Sequence, residues 1–232
     1  MDAIVLAGGL GTRLRSVVPD VPKPMAPVGG RPFLEHQLEY WIGQGVDRFI
    51  LSVGYLHESI ATHFGRTFQD ATIVYAVEPR PLGTGGGMLL AAEQLSGSAP
   101  FLVLNGDTFL EVSLDVLRRC HERREADLTM CLFRSGQEGR YMGIELDGQD
   151  RVVSLSSAVP GQLANGGVYL ANRAALTGLG RTAGMRVSLE DELLPAALSQ
   201  GRRIFGLACS GRFIDIGVPH DYVRAATVLE RT

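Results

Sequence analysis

Asp2-Ala3-Ile4-Val5-Leu6-Ala7-Gly8-Gly9-Leu10-Gly11-Thr12-Arg13 carries the strongest fold signal in the chain. Its first half is a mainly apolar run of strand length, which stops abruptly at a loop with three glycines. Glycine lets the main chain approach an anion closely, so that successive backbone N–H groups can converge on phosphate oxygens. A strand that ends in such a loop predicts an α/β domain with a phosphate site at the strand end.

A single lysine follows this loop. Lys23 lies in Val21-Pro22-Lys23-Pro24-Met25, where two prolines restrict the backbone on both sides. The chain has 22 lysine and arginine residues, and all except Lys23 are arginines. Retention of one compact ammonium in an arginine-rich chain indicates a role that a planar guanidinium cannot fill. We predict contact with a reacting phosphate; the alternative is chance retention.

Length and composition limit the function classes. At 232 residues and 45% hydrophobic, the chain can form one α/β domain. A net charge of −3 gives no overall attraction to nucleic acid or to an anionic membrane, and no apolar run approaches the ~18 residues of a membrane span. The three cysteines lack the spacing of a zinc or disulfide framework. We therefore expect a cytoplasmic protein with small-molecule partners.

The rest of the chain alternates between the two-residue hydrophobic pattern of strands and the 3.6-residue pattern of helices. Strands are predicted at residues 48–53, 71–77, 101–104, 128–133, 141–146, 151–155, 167–170 and 204–208. Helices are predicted at residues 33–42, 57–64, 88–95, 113–124, 188–199 and 219–230. This order predicts a mixed, mainly parallel sheet flanked by helices, with a small antiparallel lobe contributed by the second half.

Two further segments resemble ligand loops. Leu82-Gly83-Thr84-Gly85-Gly86-Gly87 follows a predicted strand and opens a helix, which predicts an anion or base-edge site. The alternative is a plain tight turn, which would give three helix-weakening glycines no packing gain. Asn105-Gly106-Asp107 follows the most apolar run of the chain. Ligands of open α/β sheets bind beyond the carboxyl ends of strands, so Asp107 is predicted to enter the same site.

Two aspartates are candidate magnesium ligands. Asp107 is a hard oxygen ligand at a strand end, although it is also a good helix N-cap. Asp215 stands between isoleucines in Phe213-Ile214-Asp215-Ile216-Gly217, where a carboxylate needs a cation or a hydrogen-bond donor. We assign both carboxylates to Mg²⁺.

The candidate site has no obvious nucleophile or general base. Transfer of a nucleotidyl group to a phosphate monoester needs none, because the attacking oxygen is largely ionised above its second pKa of about 6. Catalysis then consists of positioning and charge neutralisation. We assign Arg13 and the amides of Gly8 to Thr12 to the leaving β- and γ-phosphates, and Lys23 to the α-phosphate.

Other phosphate motifs do not fit. A P-loop needs Lys followed by Ser or Thr, and Pro24 follows Lys23 here. The dinucleotide fingerprint needs a third glycine where Leu14 stands. A dehydrogenase is therefore not expected.

Gly8-Gly9-Leu10-Gly11-Thr12-Arg13 together with Pro22-Lys23-Pro24-Met25 resembles the signature of the sugar-1-phosphate nucleotidyltransferases. The likeness covers essentially the whole chain, through Glu78 to Gly86, Asn105 to Asp107, Asn165 to Tyr169 and Asp215 to Gly217. It implies the Rossmann-like nucleotide-diphospho-sugar transferase fold, Mg²⁺ as cofactor, and an NTP and a sugar 1-phosphate as substrates. We expect one domain over residues 1–232, with residues 1–125 mainly for the nucleotide and 126–232 mainly for the sugar phosphate.

The resemblance also implies the contacts. The nucleotide would contact Leu6, Ala7, Gly8, Gly9, Gly11, Thr12, Glu78, Gly83, Thr84, Asn105 and Gly106. The sugar phosphate would contact Gly143, Asn165 and Gly166. Many relatives carry a Glu-Lys pair before the Asn-Gly-Gly strand, its lysine meeting the sugar phosphate, where this chain has Ser156-Ser157. Either an arginine such as Arg140 replaces that lysine or acceptor binding differs.

Within the family, residues 24–27, 105–109 and 213–219 are most similar to the branch that transfers GMP from GTP to D-glycero-α-D-manno-heptose 1-phosphate, which supplies surface-glycan precursors. Transfer of GMP to mannose 1-phosphate and of UMP to N-acetylmuramate 1-phosphate are the alternatives. A catalytically silent nucleotide-sugar sensor is the alternative from another class. The combination of Lys23, Asp107 and Asp215 argues against a sensor, which needs neither metal ligands nor a lone lysine. A homo-oligomer is left open.

Overall fold

A ten-stranded mixed sheet forms the centre of the computed structural model, which describes residues 1–9, 11, 13–14, 17–136 and 138–229. The strands are β1 Asp2–Leu6, β2 Pro27–Val28, β3 Arg31–Pro32, β4 Arg48–Val53, β5 Thr67–Phe68, β6 Ala71–Val77, β7 Phe101–Asn105, β8 Thr108–Leu110, β9 Leu128–Arg134, β10 Met142–Leu146, β11 Val152–Ser157, β12 Leu163–Ala171, β13 Ile204–Ala208 and β14 Phe213–Asp215. The helices are α1 Phe33–Ile42, α2 His57–Phe64, α3 Gly83–Ala92, α4 Leu114–Arg123, α5 Leu194–Ser199 and α6 Pro219–Leu229.

The sheet has the order β11-β10-β12-β7-β1-β4-β6-β5, and β9 joins it by pairing with β12 and β13. Strand β1 is parallel to β4 and β7, and β4 is parallel to β6, whereas β7 and β12 are antiparallel. The predicted fold class, a mixed and mainly parallel sheet flanked by helices, is confirmed. Within the described part of the chain, no helix is long and apolar enough to span a membrane.

Both faces of the central strands are buried. Ala3 and Val5 of β1 pack into one apolar cluster with α1, α2 and α4, while Ile4 packs into a second cluster with α3 and α5. Alternate side chains of a strand point to opposite faces, so β1 needs a continuous apolar run to fill both clusters. This arrangement holds β1 rigidly, with its carboxyl end at the edge where the candidate loops emerge.

Three predicted elements differ from the structure in an informative way. The helix predicted at residues 88–95 is α3, Gly83–Ala92, so the residues predicted as the second glycine loop form its first turn and a half. The strand predicted at residues 167–170 runs from Leu163 to Ala171, because a β-bulge between Asn165 and Val168 interrupts its pairing with β9 without ending it. The helix predicted from residue 188 begins as a π-helical turn, Leu189–Leu193, before α5.

Candidate active site

Strand ends β1 and β7 form the floor of a cavity of about 370 Å³. Because these strands are parallel neighbours, their loops leave the sheet side by side, and the backbone N–H of Gly106 donates to the Leu6 carbonyl over 3.0 Å. The cavity is lined by Leu6, Ala7, Gly8, Gly9, Lys23, Pro24, Glu78, Pro81, Gly83, Thr84, Gly87, Asn105, Gly106, Asp107 and Arg186. Most of the predicted nucleotide residues therefore share one cavity.

The Lys23 ammonium lies between the two predicted metal ligands. It contacts the Asp107 carboxylate and lies 3.9 Å from Asp215 Oδ1. Its side chain is 10% exposed and projects from a 3₁₀ turn, Lys23–Met25, closed by a hydrogen bond from the Ala26 N–H to the Lys23 carbonyl. The predicted meeting of this lysine with both aspartates is confirmed.

Strand pairing explains how carboxylates 108 residues apart in sequence meet. Strand β8 begins directly after Asp107, and it pairs antiparallel with β14, so that Asp215 lies opposite Thr108. The Ile216 N–H donates to the Asp107 carbonyl over 3.0 Å, and the Gly217 N–H donates to Asp215 Oδ1 over 2.6 Å. The pairing and these bonds fix both acids at the site.

Gly217 leaves room for this charge cluster. A Cβ placed on it would lie 2.6 Å from Asp215 Oδ1 and 2.8 Å from Lys23 Nζ, and both distances are shorter than van der Waals contact. The Asp215 carboxylate and the Lys23 ammonium therefore occupy the space that a side chain at position 217 would need.

We expect Gly217→Ala to reduce turnover at least tenfold, because the methyl group displaces Lys23 and Asp215, and to destabilise the fold by about 1–3 kcal/mol through overpacking. Pyrophosphate release and urea unfolding measure the two effects. Gly148→Ala is the matched control, since nothing lies within 4 Å of a Cβ at that position. Equal turnover in both variants would contradict this account of Gly217.

Arg140, the predicted partner of the sugar phosphate, is ion-paired with two carboxylates. Its Nη2 donates to Asp215 Oδ2 over 2.8 Å, and its Nη1 contacts the Asp221 carboxylate. Burial alone would lower the pKa of Arg140, but the hydrogen bonds to Asp221 and Asp215 raise it above its ordinary value. The guanidinium is thus at the site and engaged there by Asp215 and Asp221.

Glu78 also lines the cavity. Its Oε2 accepts the Leu82 N–H over 2.9 Å, and its Oε1 accepts the Ser52 hydroxyl over 3.1 Å. Burial raises the pKa of this carboxyl, while the two hydrogen bonds oppose the shift. A Cβ on Gly8 would collide with Oε1, so the first glycine loop packs directly against this carboxylate.

Packing explains the glycines at residues 83–87, which the sequence analysis treated as a ligand loop and which begin α3 in the structure. The Gly86 N–H donates to the Val187 carbonyl over 3.0 Å, and a Cβ on Gly83 would lie 2.7 Å from the same oxygen. A Cβ on Gly85 would lie 2.7 Å from Leu193 Cδ1. Our reason for disfavouring a plain turn, the lack of a packing gain, is wrong: these glycines let the start of α3 pack closely on the segment before α5. Gly83 and Thr84 line the cavity nevertheless.

The residues predicted to contact the sugar phosphate lie outside this cavity, around the bulge in β12. Asn165 donates from Nδ2 to the Tyr169 hydroxyl over 2.6 Å and accepts the Gly167 N–H over 3.1 Å. A Cβ on Gly166 would lie 2.9 Å from the Cys131 carbonyl oxygen, so backbone packing already requires this glycine. Gly143 on β10 pairs with Ala164. The bulge reaches the cavity wall, because a Cβ on Gly167 would lie 2.9 Å from Asn105 Nδ2.

The first glycine loop is described in part. Gly8 and Gly9 line the cavity, and Gly11, with φ +61°, lies where a Cβ would be 3.1 Å from the Lys23 Cβ. Arg13 is exposed and does not line the cavity. Thr12 lies outside the described residues.

Arg186 is the cavity residue that the sequence did not indicate. It is exposed and lines the cavity beside Gly83 and Thr84. The backbone hydrogen bond from the Val187 N–H to the Leu82 carbonyl, 2.8 Å long, holds it there. Nothing local distinguishes Arg186 from the other arginines, so long-range packing alone reveals it.

A larger cavity, of about 810 Å³, lies at the opposite edge of the sheet. Its main charged groups are paired with one another: the Met1 ammonium contacts Asp47, and Arg48 bonds Asp2 over 2.9 Å. The smaller cavity is lined by residues of both glycine segments, Lys23 and Asp107, whereas Asp215 does not line it and lies beside it, 3.9 Å from Lys23 Nζ.

A family model described as Nucleotidyl transferase matches residues 2–232. The chain belongs to the nucleotidyl transferase family. This nucleotidyl transferase is 38% identical to the D-glycero-alpha-D-manno-heptose 1-phosphate guanylyltransferase of Aneurinibacillus thermoaerophilus, with 99% of each chain covered. It is 37% identical to the protein of the same name from Campylobacter jejuni, with 96% of this chain and 97% of that protein covered. The resemblance drawn from the motifs is confirmed.

Solved structures agree with the fold. The nucleotidyl transferase superposes on HddC from Yersinia pseudotuberculosis with a TM-score of 0.84 at 31% identity, covering 99% of this chain and 98% of that one. HddC has also been solved in complex with GMP-PN, and that structure gives a TM-score of 0.83. The chain therefore has the nucleotide-diphospho-sugar transferase fold that its motifs imply.

Proposed function

We propose that the protein transfers GMP from GTP to D-glycero-α-D-manno-heptose 1-phosphate, forming the GDP-sugar and releasing pyrophosphate. The observation that carries the proposal is the contact of Lys23 with Asp107 and its approach to Asp215 beside the Gly8-Gly9 loop. That arrangement suits a metal-bound triphosphate. Similarity to heptose 1-phosphate guanylyltransferases over nearly the whole chain supports the choice of substrates. The reaction consumes GTP, and we propose that it takes place in the cytoplasm.

The donor set fits a magnesium ion. Asp107 and Asp215 approach one cation, the Lys23 ammonium, from two different strand ends, so both carboxylates can face a common positive charge. Among the described residues, no group of three or more His, Cys, Asp or Glu side chains forms a metal site. Mg²⁺ is commonly held by one or two carboxylates together with substrate phosphates and water, which matches this pair. When bound, the ion would neutralise phosphate charge during transfer.

The side chains supply positioning and positive charge. An oxygen of the sugar phosphate attacks the α-phosphorus, and the bond from that phosphorus to the β-phosphate oxygen breaks, so pyrophosphate leaves with the electron pair. The Lys23 ammonium would stabilise the negative charge that develops on the α-phosphate oxygens. The amides of Gly8 and Gly9 would hold the leaving phosphates, assisted by Arg13 from the exposed turn. No proton transfer is needed, since the attacking phosphate is already ionised.

Glu78 would select guanine. An ionised carboxylate can accept about four hydrogen bonds, and Leu82 and Ser52 donate two to Glu78. The remaining capacity matches the adjacent N1–H and N2–H₂ donors of guanine. Uracil presents one N–H between two carbonyls and would set an oxygen against the carboxylate.

The acceptor would lie toward the β12 bulge. Gly143, Asn165 and Gly166 would contact the sugar phosphate, with Arg140 nearby at Asp215. In this arrangement residues 1–125 hold mainly the nucleotide and residues 126–232 mainly the acceptor, with the reacting phosphates between the halves.

A substrate panel tests the proposed function. Each of four NTPs is mixed with Mg²⁺ and one of three sugar phosphates: the heptose, mannose and N-acetylmuramate 1-phosphates. We expect pyrophosphate release to be fastest with GTP and the heptose phosphate, because Glu78 complements guanine. A faster rate with mannose 1-phosphate, or with UTP and N-acetylmuramate 1-phosphate, would overturn the assignment. Binding of nucleotide sugar without any pyrophosphate release would support a sensor instead.

A further inference from the structure

Asp221 is a buried acid that the proposed reaction does not use. It lies in the first turn of α6 and is 5% exposed. Its Oδ2 contacts Arg140, and its Oδ1 accepts from Arg224 Nη1 over 3.2 Å and lies 3.4 Å from His220 Nδ1. A buried carboxylate without partners is costly, so Arg140 and Arg224 explain why Asp221 is tolerated. They do not explain its placement.

That placement connects Asp221 to the candidate metal ligand. Arg140 donates from Nη1 to Asp221 and from Nη2 to Asp215 Oδ2, so one guanidinium bridges two carboxylates. Asp215 is in turn 3.9 Å from Lys23, which contacts Asp107. The charges alternate along this row, from Asp107 through Lys23, Asp215 and Arg140 to Asp221.

The alternation has an electrostatic consequence at Asp215. A divalent cation that binds there must coexist with the positive charge of Arg140, held 2.8 Å from Asp215 Oδ2. Two positive charges repel strongly at short range in a poorly solvated site, and a third, negative group beyond the guanidinium offsets that repulsion. Asp221 is the group in that position.

We propose that Asp221 is a positioning residue that holds Arg140 and balances its positive charge. The guanidinium then repels a divalent metal ion at Asp215 less strongly, so that Asp215 can bind the ion. This inference depends on the proposed function, because it takes Asp215 as a metal ligand. Asp221 acts through Arg140 and does not touch the metal or the nucleotide.

The test measures Mn²⁺ binding to the full chain by electron paramagnetic resonance, in which the signal of free Mn²⁺ falls as the ion binds. We expect Asp221→Asn to weaken Mn²⁺ binding about tenfold, because the guanidinium charge is no longer balanced. Arg140→Gln combined with Asp221→Asn removes both charges and is expected to return the affinity to within about threefold of the parent protein.

The double variant separates an electrostatic role from a structural one. If Asp221 only secured α6, Asp221→Asn would lower the melting temperature, and adding Arg140→Gln would not restore Mn²⁺ binding. Asp115→Asn is the matched control: it makes the same change in the first turn of α4, at an exposed position away from the cavity, and should bind Mn²⁺ as the parent does.

Asp215→Asn distinguishes this inference from the proposed function. If the parent binds Mn²⁺ no better than Asp215→Asn, the metal site itself is wrong. If binding depends on Asp215 but Asp221→Asn matches the parent, or the double variant stays weak, the role given to Asp221 is wrong and the metal site stands.

Discussion

Lys23→Arg is expected to lose turnover nearly as completely as Lys23→Ala, with kcat reduced about 10²- to 10³-fold in both. Either substitution removes the ammonium that would stabilise the negative charge developing on the α-phosphate. Arginine keeps the charge but cannot occupy the same space, because the Lys23 side chain is 10% exposed. A Cβ on Gly217 would lie 2.8 Å from Nζ, and one on Gly11 would lie 3.1 Å from the Lys23 Cβ.

Single-turnover measurement of GDP-sugar formation checks this result without interference from product release. Arg119→Lys, on the exposed face of α4, exchanges the same two residue types away from the cavity and should leave turnover unchanged. Near-parental turnover in Lys23→Arg would show that the site needs a positive charge but not a compact one. Near-parental turnover in Lys23→Ala would remove Lys23 from the mechanism.

Glu78→Gln is expected to change the preferred nucleotide. Loss of the charge-assisted pair with guanine should lower kcat/KM for GTP about 10- to 100-fold. The glutamine oxygen can still accept the Leu82 N–H, and its NH₂ group can donate to the Ser52 hydroxyl, so the local fold is retained. The amide then offers one donor and one acceptor to the base, which matches the N3–H and carbonyl edge of uracil, so kcat/KM for UTP should rise.

Competition between GTP and UTP in one reaction measures this change as a product ratio. Glu93→Gln, an exposed glutamate that follows the last turn of α3, provides the same substitution outside the cavity. An unchanged GTP preference in Glu78→Gln would mean that another group reads the base. Loss of all activity together with a lowered melting temperature would point to misfolding, and Glu78→Asp would then be compared.

Local patterns predicted much of this protein because the central sheet depends on them. The apolar run of β1 fills both faces of the sheet, and the glycines directly after it favour a loop. Since parallel strands end at the same edge, Asp107 was predictable as a neighbour of the Gly8-Gly9 loop. Asp215 was predicted to need a cation because isoleucines flank it, and Lys23 Nζ lies 3.9 Å from its Oδ1.

Long-range packing accounts for what the sequence could not show. The glycines of α3 satisfy contacts with Val187 and Leu193, which lie about a hundred residues further on in the chain. The role proposed for Asp221 depends on its contact with Arg140, which lies on a separate loop. Local sequence spacing does not indicate such pairs. Arg140, which we predicted to bind the sugar phosphate, is therefore found paired with Asp215 and Asp221.

The presence of one lysine makes the protein a selective target for amine-directed labelling. The ammonium of Lys23, the one lysine of the sequence, contacts the Asp107 carboxylate. Acylation of Lys23 would place a bulky group in the cavity that this residue lines. Coupling of an amine-reactive dye at Lys23, located by peptide mapping, therefore reports occupancy of the cavity, and a surface-immobilised assay of this protein needs an attachment chemistry that spares Lys23.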